Sequence, residues 1–130
     1  IGIVQEQVLP TIKLETRREF YDYEAKYLDD QTSYICPCGL QQDAEQRLGE
    51  LAMQAFQLVH ASGWGRVDIM LDDDDVPFLI EVNTVPGMTD HSLVPMAAKQ
   101  LGVEFDELVV RILDTSFARG AVAVQTKGAA

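Results

Sequence analysis

The chain has 130 residues, 10 lysines and arginines against 21 aspartates and glutamates, and a net charge of −11. That length holds one domain at most, and an apolar fraction of 47% is ordinary for a folded core. The acidity argues against non-specific nucleic-acid binding and against an anionic membrane surface, and no run approaches the roughly 18 apolar residues of a membrane helix.

In chain order, Ile1 to Gln5 and Val8 to Glu15 read as two strands of an antiparallel sheet, with Gln5-Glu6-Gln7 as a tight connection. Phe20 to Leu40 is aromatic, charged and turn-rich without a clean period, and reads as a long loop. Asp43 to Ala61 follows a helical period, with Leu48, Leu51, Ala52, Ala55, Phe56 and Val59 on one stripe and Ser62-Gly63 ending it. A hairpin comes next, its two apolar runs, Gly65 to Leu71 and Leu79 to Asn83, joined by an acidic turn. Pro86-Gly87 then turns the chain, and Ser92 is the expected N-cap of a helix from Leu93 to Leu101 closed by Gly102. Phe105 to Phe117 reads as an amphipathic helix with Leu108, Val109, Ile112 and Leu113 inward, and residues 120–130 as a disordered tail. The fold class expected is α+β, a mostly antiparallel sheet flanked by helices. Ile1 already reads as part of a strand and is not an initiator methionine, so the chain is expected to be a portion of a longer protein.

The hairpin carries the chemistry. Strand side chains alternate faces, so Arg66, Asp68 and Met70 share one face of the first run, and Glu81 and Asn83 share one face of the second. If Asp74 and Asp75 form a two-residue tip, Asp68 lies opposite Glu81 and Arg66 opposite Asn83. A one-residue slip would scatter the cluster. Directly opposed Asp and Glu repel unless a cation sits between them. Aspartate, glutamate and asparagine oxygens suit Mg²⁺ beside a nucleotide phosphate. The alternative is two acidic residues on a solvated strand face.

Other candidates are weaker. Cys36 and Cys38 are too close in sequence for a relaxed disulfide and lack further zinc ligands, so they are expected to be reduced thiols. His60 and His91 are isolated, although His91 falls in the Pro86–Leu93 region. Asp72 to Asp75 lacks the spacing and glycine of an EF-hand loop and reads as a solvated tip.

Arg66-Val67-Asp68, Glu81-Val82-Asn83-Thr84-Val85-Pro86-Gly87-Met88-Thr89 and His91-Ser92-Leu93-Val94-Pro95 resemble the C-terminal part of the D-alanine–D-alanine ligase family, in the ATP-grasp superfamily of carboxylate–amine ligases. Gly63-Trp64-Gly65 is also similar, and Phe20-Tyr21-Asp22-Tyr23-Glu24-Ala25-Lys26-Tyr27 looks like the family's lid over ATP. The likeness runs from about residue 1 to residue 114. It implies a C-terminal ATP-grasp portion over residues 1–119, with a lid at about 20–42 and the first D-alanine site and the adenine hinge upstream. It implies ATP-dependent ligation of two D-alanines through an acyl phosphate, for peptidoglycan synthesis in the bacterial cytoplasm. One or two Mg²⁺ (or Mn²⁺) ions would be held by Asp68, Glu81 and Asn83. ATP would meet Lys26, Phe20, Met70, Ile80 and Glu81, although simple alternation points Ile80 away from Glu81. Arg66 and the Gly87 N–H would stabilise the tetrahedral oxyanion, Gly87 in a turn of positive φ, while Ser92, Leu93 and the lid residue Tyr27 would complete the second-substrate site. Tyr27 favours the dipeptide product over a D-lactate ester. The resemblance further implies a homodimer of the whole protein. Two alternatives stand beside it: a related ligase using D-lactate or D-serine, and a non-catalytic acidic domain that binds a cation or a protein.

Overall fold

A computed structural model describes residues 1–15 and 32–123. Its centre is a four-stranded antiparallel sheet built from β1 (Gly2–Val4), β2 (Gln7–Val8), β5 (Trp64–Leu71) and β6 (Pro77–Asn83), in the order β2-β1-β5-β6. β3 (Lys13–Glu15) and β4 (Ser33–Ile35) form a separate two-stranded sheet. Three helices, α1 (Gln42–Leu58), α2 (Leu93–Gln100) and α3 (Phe105–Ala123), complete the described residues.

Alternation along the strands sorts the core onto two faces. Ile3, Val67, Ile69 and Val82 pack with Ala52, Ala55 and Phe56 of α1. Val4 and Trp64 pack instead with Val94, Ala97 and Ala98 of α2, with Val103, and with Leu108 and Ile112 of α3. The even-numbered residues of β5 therefore belong to the α2–α3 side of the sheet.

Several local expectations change, each for a physical reason. Gln5 and Glu6 both take positive φ, 51° and 61°, as a two-residue hairpin of the twist-matched kind demands. The stretch from Val8 to Glu15 is broken, not one strand, because Pro10 has no N–H for a ladder and the Thr11 N–H is drawn to Glu45 Oε1 of α1 at 2.8 Å. The expected loop from Phe20 to Leu40 contains β4, paired Leu14 to Tyr34 against β3. Phe20, Lys26 and Tyr27 lie outside the described residues.

The helix expected to reach Ala61 ends at Leu58, where His60 takes φ 56° and the His60 and Ala61 N–H groups bond back to Gln57 and Phe56. α2 ends with the same pattern around Gly102, at φ 75°, with Gly102 and Val103 bonded back to Lys99 and Ala98. α3 continues past Phe117 to Ala123, so the helix includes residues expected in the tail. It presents a narrow contact line: Leu108 is buried, but Val109 and Leu113, expected inward, are 40% and 54% exposed. No described helix is long and apolar enough to cross a membrane.

Candidate functional site

The β5–β6 register brings Arg66 opposite Asn83 and Asp68 opposite Glu81, as the period-2 pattern predicts. The route to that register differs from a simple two-residue tip. The turn is a three-residue loop, Asp73 to Asp75, closed by the Asp72 N–H to the Val76 carbonyl at 3.1 Å and the Asp75 N–H to the Asp72 carbonyl at 3.0 Å. Asp75 sits at φ 59°, and Asp72 Oδ1 accepts from the Asp74 and Val76 N–H groups. This loop offsets the strands by one residue, so Leu71 pairs with Pro77, Met70 with Phe78 and Ile69 with Leu79. A bulge between Ile69 and Asp68 then absorbs Ile80 as an unpaired residue and restores the Asp68–Glu81 pairing. The two irregularities cancel.

The bulge also corrects the expected orientation of Ile80. Leu79 is paired with Ile69 and Val82 with Val67, both on the α1 side of the sheet. The alternation must therefore slip between them, which leaves Ile80 on the same face as Glu81. Arg66, Asp68, Met70, Ile80, Glu81 and Asn83 thus share one face. Met70 and Ile80, 56% and 62% exposed, join Phe78 on an open apolar surface beyond the charged cluster.

Arg66 anchors that cluster. Its side chain is 9% exposed, and its Nε–H and Nη2–H donate to the two oxygens of Asp68 at 2.7 and 2.8 Å. Nη2 also stands 3.7 Å from Glu81 Oε1. Arg66 was expected on the same face as the carboxylates but in a different step, as an oxyanion binder; here it is joined to Asp68 in a charge-assisted fork. Its neighbour Gly65 fits only without a side chain. A Cβ there would come 2.5 Å from Phe56 Cε2 and 2.9 Å from the Asn83 carbonyl oxygen.

The strand then hands the chain to a tight loop. Asn83 Oδ1 accepts the Val85 N–H at 3.1 Å, which turns the backbone into the buried Pro86. Gly87 does not have the positive φ expected of it: the positive-φ glycines among the described residues are Gly39, Gly63 and Gly102. Its smallness is spent on a close approach, since a Cβ would sit 3.0 Å from Ser92 Oγ.

Ser92 occupies the N-cap position of α2 in extended conformation, yet its hydroxyl makes no cap bond. It reaches backward, accepting the Thr89 N–H at 3.0 Å and sharing a 2.9 Å bond with the Thr89 hydroxyl. The loop is thereby closed on itself, and no side-chain cap covers the first turn of α2, which starts at the half-buried Leu93. Thr89 was missed as a site component; a hydroxyl three residues before a serine at a helix start is the signal that could have found it. His91 faces solvent, 3.5 Å from Asp90. A separate small cleft lined by Ser62, Trp64, Thr84, Val85, Thr115 and Ser116 contains none of the charged residues. Cys36 and Cys38 are free, and burial pushes the Cys36 thiol above its ordinary pKa.

The donor set fits a hard divalent cation. The carboxylates of Asp68 and Glu81 already share one positive charge, the Arg66 guanidinium, and Asn83 lies on the same face with its Oδ1 bonded to the Val85 N–H. Among the described residues no group of three His, Cys, Asp or Glu side chains forms, so an ion there would depend on Asn83, solvent or a ligand for its remaining oxygens.

The family model for the D-ala D-ala ligase C-terminus matches residues 1–114. The chain belongs to that family. It is 59% identical over 118 residues to a D-alanine–D-alanine ligase of Nitrosococcus oceani, covering 91% of this chain and 37% of that protein. It is 58% identical over 117 residues to the Methylococcus capsulatus ligase, covering 90% and 38%. The solved D-alanine–D-alanine ligase of Bacillus anthracis complexed with ATP superposes with a TM-score of 0.77 at 32% identity, over 94% of this chain and 40% of that one. The VanG D-Ala:D-Ser ligase of Enterococcus faecalis gives 0.69 at 27% identity, over 88% and 34%. The fold is therefore the expected C-terminal part of the ATP-grasp architecture in this ligase family, and the chain spans under two-fifths of the length of the curated relatives it matches.

Proposed function

We propose that this chain is the cation- and substrate-holding part of an ATP-dependent ligase that joins two D-alanines into D-alanyl-D-alanine for peptidoglycan. One observation carries the reading: a single strand pairing aligns Arg66 with Asn83 and Asp68 with Glu81, and leads straight into the Asn83–Ser92 loop, in a chain of this family.

In the reaction, the carboxylate of the first D-alanine takes the terminal phosphoryl group of ATP, and the amine of the second attacks the resulting acyl phosphate. The new C–N bond forms through a tetrahedral oxyanion, which collapses with loss of phosphate and of the amine proton. Asp68, Glu81 and Asn83 hold one or two Mg²⁺ or Mn²⁺ ions, which supply charge neutralisation for the transferring phosphoryl group. The Arg66 guanidinium and the Gly87 N–H are the donors for the oxyanion. The first turn of α2, at Ser92 and Leu93, receives the carboxylate of the second amino acid: the Ser92 N–H is already bonded to the Thr89 carbonyl, but no side chain caps the turn and the helix dipole favours an anion. Met70, Ile80 and Phe20 line the adenine side, Glu81 serves nucleotide and cation together, Lys26 meets the terminal phosphate, and Tyr27 closes over the second substrate. The whole protein is a homodimer of the bacterial cytoplasm on this reading.

Ligation to D-serine is the second reading, supported by the likeness to VanG, but that likeness has lower identity and a lower TM-score than those to the D-alanine–D-alanine ligases. The deciding experiment is phosphate release from ATP and Mg²⁺ by the whole protein with D-alanine, L-alanine, or D-alanine plus D-serine or D-lactate, with products identified by mass. D-alanine-dependent release with D-alanyl-D-alanine formed is the expected result. A mixed product would move the assignment to the second reading, and no release from folded, metal-loaded protein would remove the substrate claim.

A further inference from the structure

We infer that Arg66 is an internal counter-ion that competes with the divalent cation for Asp68 and Glu81, so that loading the cation releases the guanidinium for the reacting substrate. This rests on the cation assignment proposed above.

Three observations lead here. First, both oxygens of Asp68 are engaged by Arg66, at 2.7 and 2.8 Å, and the same Nη2 stands 3.7 Å from Glu81 Oε1. The guanidinium thus engages the two carboxylates that a cation here would need. Second, Asp68 and Glu81 are directly paired across the strands, an arrangement that repels without a positive charge between them. Arg66 provides that charge while the cation is absent. Third, burial falls from Arg66 at 9% exposed, through Asp68 at 24%, to Glu81 at 47%. A cation approaching from solvent therefore meets Glu81 and Asp68 before it meets the arginine.

A guanidinium and a divalent ion drawn to the same two carboxylates repel each other as like charges. Cation binding must therefore loosen at least one arm of the fork. The N–H groups that give up Asp68 can then turn to the reacting substrate, as an oxyanion binder must. Charge repulsion from Arg66 also holds cation affinity down before nucleotide arrives, which makes nucleotide phosphate the component that tips the exchange.

The test uses the whole protein, without nucleotide, and Mn²⁺ alone as the probe, with bound ion followed by electron paramagnetic resonance. Arg66→Met is expected to tighten Mn²⁺ binding by about ten-fold or more, the scale on which one adjacent charge shifts an ionic equilibrium. Unchanged or weaker binding in a folded Arg66→Met protein overturns the inference. A second measurement needs no altered protein: the Arg66 Nε–H resonance, assigned by its loss in Arg66→Lys, is expected to move and to exchange faster with water when Mg²⁺ is added. A resonance unmoved by saturating Mg²⁺ overturns the inference even if Arg66→Met fails to fold. Asp68→Asn separates the two layers. If it leaves Mn²⁺ affinity intact, the cation assignment itself is wrong; if it weakens binding while Arg66→Met fails to strengthen it, only the competition is wrong.

Discussion

The two halves of the β5–β6 hairpin share a pair of strands and little else. The inner half, from Gly65 to Asp68 and from Glu81 to Asn83, is flanked by Phe56 of α1 on one side and runs into the Pro86–Ser92 loop. Its arginine is nearly buried, forked onto Asp68 of its own strand and 3.7 Å from Glu81 across the pairing. The outer half, from Ile69 to Leu79, carries Met70, Phe78 and Leu79 about half exposed and ends in four aspartates. The bulge at Ile80 divides the halves and keeps their registers independent. The lesson is that rigidity and chemistry coincide where side chains are pinned from two elements, and that the open half holds apolar surface without a partner among the described residues.

The largest expected effect breaks the inner half at its centre. Arg66→Ala should lower turnover by about 10²–10³-fold, as loss of an oxyanion donor does. ATP affinity should change far less; steady-state kinetics of the whole protein check both, and a change confined to ATP affinity would contradict the oxyanion role. Next are the opposed carboxylates. Asp68→Asn and Glu81→Gln should each weaken Mg²⁺ binding by about 10–100-fold, the scale on which altered metal surroundings act. Asp68→Asn should also cost about 2 kcal/mol of stability, because it takes a charged acceptor from a buried guanidinium, while the more exposed Glu81 should cost less. Metal titration and thermal unfolding separate the two quantities.

Gly65→Ala tests the packing behind the site. Its Cβ would press into the Asn83 carbonyl as well as the Phe56 ring, so a loss of about 2 kcal/mol is expected by denaturant unfolding. Deleting Ile80 sharpens the comparison between halves. The outer register should then run unbroken into the inner one, with Glu81 still opposite Asp68. Metal affinity should stay within about three-fold of the starting value, while the KM for ATP rises several-fold through loss of apolar surface. A collapse of metal affinity would mean that the bulge sets the inner half after all. The smallest effect lies outside the hairpin. His60 holds the same left-handed position that Gly102 fills at the end of α2, so His60→Gly should stabilise by about 0.5–1 kcal/mol, read from the unfolding midpoint.

Much of this was open to inspection in the residues. Alternation put Asp68 and Glu81 on facing strands, and the expected register survived although the expected tip did not. It survived because the three-residue loop and the bulge are offset by one residue each. Neither irregularity has a sequence signature here: the left-handed position of the loop holds Asp75, not glycine, and the bulged residue is an isoleucine that any strand accepts. The β3–β4 pair was hidden for another reason. Three-residue strands are too short for a period to show, and only their pairing defines them.

By itself, the sequence determined the α+β composition, the strand faces, the order of the motifs and the oxygen-rich character of the site, since periodicity and donor chemistry are properties of residues in a row. Only the tertiary structure decided that Arg66 is clasped by the carboxylates it was expected to work beside, that Gly87 is small to make room for Ser92, that Ser92 bonds backward to Thr89, and that Ile80 shares the face of Glu81. Each of these depends on distances between side chains or on the phase of one strand against another. Such distances exist only after the chain has folded and burial has limited each polar group to the partners within reach.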